Sequence, residues 1–136
     1  MLTIAKSSND KLVTALNLTE EWDKVSDKGS LVQGCVVVRK EFAEAHPAEL
    51  AAFLADYEAS INYLAEDGSD IANVIESSGV FAKGAVATKA IPNCNLCFIT
   101  GEDMKAPMSA FLNIMFNTQP ASIGGAIPGD DFYYVK

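Results

Sequence analysis

The sequence predicts an α/β chain in which a few strands lead into a helix-rich C-terminal half. Two observations carry this expectation. Residues 34–38 (GCVVV) are β-branched and almost continuously apolar, the pattern of a short strand covered on both faces. Soon afterwards Leu50, Phe53, Leu54, Tyr57, Ile61 and Leu64 recur at helical spacing, which lays one apolar stripe along a long amphipathic helix. A chain of 136 residues can bury one ordinary core, so a single compact unit is expected.

Taken in order, the first six residues read as the end of a helix and residues 11–18 (KLVTALNL) as a strand. Thr19 is placed to cap a short helix over residues 20–25, whose first-turn acids Glu20 and Glu21 favour the positive end of the helix dipole. Residues 26–30 form a loop, and residues 31–38 the main strand. Arg39, Lys40, Glu41 and Phe42 then turn out to solvent. Pro47 opens the long helix at the first-turn position, where a missing N–H costs nothing, and Gly68 closes it. Ser69 caps the next helix, with Ile71, Val74 and Ile75 inward and an end near Gly79. Residues 81–91 are rich in small side chains and read as helix despite Gly84, and residues 95–100 as a short strand or an extended segment. Thr100 with Asp103 starts a last helix that gathers Met104, Met108, Phe111, Leu112 and Met115 on one face; Pro107 either kinks it or marks its true first turn. The glycines and prolines of residues 120–129 give an irregular loop.

Charge excludes one class of partner. The formal net charge is −8, with ten scattered basic residues, a surface that repels a phosphate backbone; nucleic-acid binding is not expected. No stretch approaches the length of a membrane span, and MLTIAKSSND lacks the apolar core and cleavage pattern of an export signal.

Chemistry-bearing residues are few. Cys94 and Cys97 form a C-x-x-C pair, the spacing of a redox dithiol or half a zinc site, but Phe98 and Ile99 follow in an extended pattern where a redox pair has a helix. With Cys35 and His46 they make four ligand types at spacings that fit no common zinc pattern, so packed or incidental cysteines are the plainer reading. His46, the single histidine, precedes Pro47 at a helix start, a capping or solvent position rather than that of a general base. Glu20, Glu21 and Asp23, then Glu66, Asp67 and Asp70, then Asp130 and Asp131 form acid clusters at helix ends and in loops, without calcium-loop spacing. Gly124 and Gly125 have no following Lys and no preceding strand, so no phosphate loop is expected. Trp22 can stack a ligand or anchor its short helix, the latter being the simpler reading. Neither an enzyme nor a cofactor follows from these residues.

The motif order resembles a known family. Val36, Val37, Val38, Arg39, Lys40, Glu41 and Phe42, then His46-Pro47 and Phe53-Leu54, resemble the second-half signature of ABC-importer solute-binding proteins, in the sulfonate, nitrate and thiamine-precursor pyrimidine group. Residues 90–95, 98–104 and 117–134 are similar to later segments of that family. The resemblance implies part of a type II periplasmic-binding-protein lobe: residues 1–30 as a remnant of the second lobe and the return crossover, residues 31–136 as the C-terminal part of the first lobe. It implies an extracytoplasmic full-length protein that binds a small polar or anionic molecule between its lobes and docks on an ABC permease. Gln33, Gly34, Asn93 and Asn95 would face that ligand. A fragment with lost sheet neighbours leaves edges unpaired, so a homo-oligomer or strand-exchanged dimer is also expected. Three functions stay open: the solute-binding component, a self-associating module that has lost its ligand, and a thiol redox or metal protein through Cys94 and Cys97.

Overall fold

The computed structural model describes residues 2–66 and 70–135. Seven α-helices are present among these residues: α1 (Leu2–Ser8), α2 (Leu18–Trp22), α3 (Lys40–Ala45), α4 (Pro47–Tyr63), α5 (Ile71–Ser77), α6 (Gly84–Ala90) and α7 (Gly101–Thr118). Single 3₁₀ turns lie at Ile91–Asn93, Pro120–Ile123 and Asp130–Phe132. No strand occurs among the described residues, so the expected α/β class and its periplasmic-binding-protein lobe are overturned. Residues 31–38 and 95–100 run without regular structure, as do residues 12–17, and Leu18 opens α2 instead of ending a strand. The physical reason is that a strand is a non-local element. A β-branched run favours extended backbone, but a strand exists only where a neighbour takes its N–H and C=O groups.

The chain divides into two compact units, one made of the chain up to Val13 together with Val38–Phe98, the other of Thr14–Val37 together with the chain from Ile99 onward. In the first unit, α3 and α4 would be one helix but for Pro47. A residue before proline is driven out of the helical region, and His46 sits at φ −130°, ψ 54°, ending α3 and opening α4. The expected exit of residues 39–42 to solvent is thus the start of a helix, with Arg39 at its N-cap position. Pro47 occupies the first turn of α4 as expected, and Ala48, Ala51, Ala52, Ala55 and Ala59 supply helix propensity. The apolar stripe is only partly covered: Leu50 is buried, Leu54, Tyr57, Ile61 and Leu64 are half-buried, and Phe53 is exposed. The expected roles of Gly68 and Ser69 lie outside the described residues. Of the expected inward side chains of α5, Ile71 is buried and Ile75 half-buried, whereas Val74 faces solvent.

Helices α5 and α6 meet backbone to backbone. Gly84 is buried, and a Cβ there would lie 2.1 Å from the Ala72 carbonyl oxygen. The Gly84 amide donates to Glu76 Oε1 at 2.7 Å, so the α5 carboxylate satisfies one of the open N–H groups at the start of α6. Helix α6 also packs on α1 and on the 3₁₀ turn that follows it.

In the second unit, α2 is capped by Asn17 rather than Thr19. Asn17 Oδ1 accepts from the Thr19 amide (3.1 Å) while its Nδ2 donates to Glu20 (3.0 Å), and the helix stops at Trp22. Helix α7 runs unbroken past Pro107, which has no N–H to offer the Asp103 carbonyl one turn back. It ends at Gln119, extended at φ −153° because Pro120 follows. Met104, Met108, Phe111, Leu112 and Met115 are all half-buried on α7, as the pattern expected.

Replacing Gly84 by Ala should force α5 and α6 apart. A loss of roughly 1–3 kcal/mol is expected from overpacking alone. Urea melts followed by circular dichroism will show a lower midpoint for Gly84→Ala than for the parent chain.

Candidate functional site

Residues 33–38 are one segment whose chemistry is left unsatisfied. Leu31 and Val32 are half-buried and the Val32 amide is bonded to the Ser30 carbonyl, but every residue from Gln33 to Val38 is exposed. Val36 is 56%, Val37 77% and Val38 40% exposed, large values for adjacent β-branched side chains. Among the described residues, none of the backbone N–H or C=O groups of residues 33–38 has a hydrogen-bond partner. Such a segment presents main-chain groups and apolar side chains together, which is what strand pairing between chains uses.

The residues expected to face a ligand are all exposed. Gln33 and Gly34 lie in the second unit, and the segment passes into the first at Val38; Asn93 and Asn95 lie in the first, Asn93 closing a 3₁₀ turn and Asn95 just beyond it at φ +50°. A left-handed backbone is tolerated by Asn through its short polar side chain. Cys35, Cys94 and Cys97 carry free, exposed thiols. The Cys94 thiol donates to the Ala90 carbonyl at 3.4 Å, at the C-terminal end of α6, the opposite end from the one that activates a redox dithiol. Among the described residues, no three His, Cys, Asp or Glu side chains gather where a metal ion could sit.

The remaining candidates have local partners. His46 stacks on Phe42 with ring centroids 4.7 Å apart, one helical turn away, and its Nδ1 is 3.6 Å from Glu49. Glu21 pairs with Lys24 (2.6 Å), Asp23 accepts from the Gly29 amide (3.2 Å), and Asp70 from Asn73 (2.5 Å). Asp130 holds Lys105 at 3.0 Å, and this hydrogen bond is the main cause that raises the Lys105 ammonium above its ordinary value. The Lys105 ammonium also lies 5.8 Å from the centre of the Tyr133 ring, so α7 and the C-terminal loop are tied by one cation.

Trp22 is an anchor. Its ring lies 5.7 Å from Phe111 on α7, and its indole N–H donates to Ser30 Oγ at 2.9 Å. Ser30 is buried, and its hydroxyl donates to the Asp27 carbonyl at 2.6 Å, with Ser26 Oγ at 3.2 Å. Sequence reasoning placed Ser30 in an ordinary loop and missed it; the one available signal was a Ser eight residues beyond the only Trp, which is too common to be informative.

No family model, curated protein or solved structure matches the chain. Among the described residues no helix is long and apolar enough to cross a membrane.

Ser30→Ala leaves the indole N–H of Trp22 without its acceptor inside the unit, an expected cost of roughly 1–3 kcal/mol. Trp22 is the only tryptophan, so its fluorescence reports this unit alone: the denaturation midpoint read at Trp22 should fall, and Ser26→Ala should move it less.

Proposed function

We propose that this chain acts as a self-associating interaction module whose apolar surface is completed by further copies of itself. What supports the reading above all is the imbalance between apolar content and burial. Nearly half the residues are apolar, at 49%, yet among the described residues only Leu50 and Ile71 are buried hydrophobic side chains. The accessible surface is 10149 Å². A folded chain of this mass exposes about 6,900 Å², and two independent units of half the mass together expose about 8,300 Å². An excess of about 1,900 Å² remains even on the second reckoning, more than the roughly 800 Å² that each partner buries in a standard stable interface.

A second reading is the solute-binding component of an ABC importer, present as its C-terminal part. It is favoured by the order of the Val36–Phe42, His46-Pro47 and Phe53-Leu54 motifs, and it does not extend to the α/β lobe. Gln33, Gly34, Asn93 and Asn95 would be its ligand contacts. A saturable thermal shift with a small alkyl sulfonate, nitrate or an aminopyrimidine would establish it; a flat titration with all three would remove it.

Size-exclusion chromatography with light scattering tests the association reading. The expected mass is a dimer or larger that dissociates on dilution; a monomer across the accessible concentration range would sink the proposal. Because each copy carries a formal charge of −8, added salt should screen the mutual repulsion and strengthen association, the reverse of what ion-pair-driven binding shows.

A further inference from the structure

We infer that residues 33–38 are the site of this association, pairing antiparallel with the same six residues of a second copy. The inference rests on the self-association reading and adds to it a location, an occupant and a direction. Three observations carry it. The segment has no regular secondary structure and is exposed, with no hydrogen-bond partner for its backbone among the described residues. It lies within a ten-residue run, 29–38, that contains no charged residue and no proline. Charged side chains and prolines are the usual devices that keep an exposed extended edge from pairing with its own kind, and here they are missing. Finally, an uncharged surface is what a chain of net charge −8 needs if two copies are to approach closely.

Direction follows from Arg39. An in-register parallel pair would set Arg39 against Arg39, and like charges directly opposite are destabilising. An antiparallel pair centred on the segment instead places Arg39 of each copy beside the partner's uncharged Val32, over which its aliphatic stem can lie. The arrangement is isologous, so it closes at two copies along this edge. Cys35 then falls close to the two-fold axis, and its exposed thiol gives a probe at the site.

The experiment uses the full chain with Cys94→Ser and Cys97→Ser, both at exposed positions, leaving Cys35 as the single thiol. A short homobifunctional maleimide should convert it to a covalent dimer. Val37→Lys should cut the yield at least ten-fold and return the light-scattering mass to that of a monomer. Val25→Lys, at a valine 84% exposed and outside the segment, should leave both unchanged. Val37 is 77% exposed, so the lysine is not expected to disturb folding, and unchanged Trp22 fluorescence checks this. In the parent chain, amide exchange at residues 33–38 should be slow in the dimer and fast after dilution, a readout that needs no substitution. Isotope-filtered contacts between residue 33 of one copy and residue 38 of the other mark the antiparallel pair, whereas contacts between the two copies of residue 33 and between the two copies of residue 38 overturn the direction. A dimer that survives Val37→Lys with fast exchange at residues 33–38 overturns the site and leaves the association reading standing. A monomer at every concentration ends both.

Discussion

The first unit hangs on one close approach, the Gly84 backbone against the Ala72 carbonyl. No residue with a Cβ fits there, and the contact fixes α6, which in turn is the surface on which α1 and the Ile91–Asn93 turn rest. Glu76 completes the junction by taking the Gly84 amide. A helix of seven residues is too short to be stable from its own hydrogen bonds, so α5 and α6 each exist because the other does. Ile71, one of the two buried hydrophobic side chains among the described residues, lies in the first turn of α5, on the helix that receives Gly84.

The second unit is held by a different device. Its one buried residue among those described is not apolar at all: it is Ser30, whose hydroxyl joins the indole of Trp22 to the Asp27 carbonyl. Asp23 adds a bond to the Gly29 amide, so the 23–30 loop is stitched at several points before Trp22 meets Phe111 on α7. Lys105 with Asp130 ties the C-terminal turn to the same helix. Exposed ion pairs of this kind are weak individually, and hydrogen bonds contribute only about 1 kcal/mol each. Both units therefore rely on a few specific pins where larger domains rely on a broad apolar core.

Helices were the legible part of the sequence. Pro47 marked its helix start without ambiguity, because proline tolerates the first turn and forbids the helical region to the residue before it; His46 and Gln119 show that second effect directly. The α7 face from Met104 to Met115 was legible for the same kind of local reason. The strands were not legible, because GCVVV states a backbone preference and says nothing about a neighbour. Asn17 was overlooked as a cap since Asn and Thr are both good caps and stand two residues apart. Glu76 and Ser30 could not be found at all: each acts across eight residues on a group that has no sequence signature. The expected ligand contacts came from resemblance alone, and their exposed positions hold no bond in the structure by which to rank them.

The failed strand and part of the surplus surface have one origin. A run such as residues 31–38 has the side-chain chemistry of a buried element and the backbone needs of a ladder, yet among the described residues neither is met for residues 33–38. Helices can satisfy their own backbone groups, so α1 to α7 form wherever propensity and a little packing allow. A segment without regular structure has no such recourse. Water can solvate the amides of residues 33–38, but it leaves three consecutive valines unburied, at a cost of roughly 25 cal/mol for every Å² of apolar surface left in contact with water. The same residues that made the sequence look like a sheet protein thus hold three exposed valines in one short, uncharged stretch, while further exposed apolar side chains, Val13, Leu16, Val25 and Val80 among them, lie elsewhere on the surface.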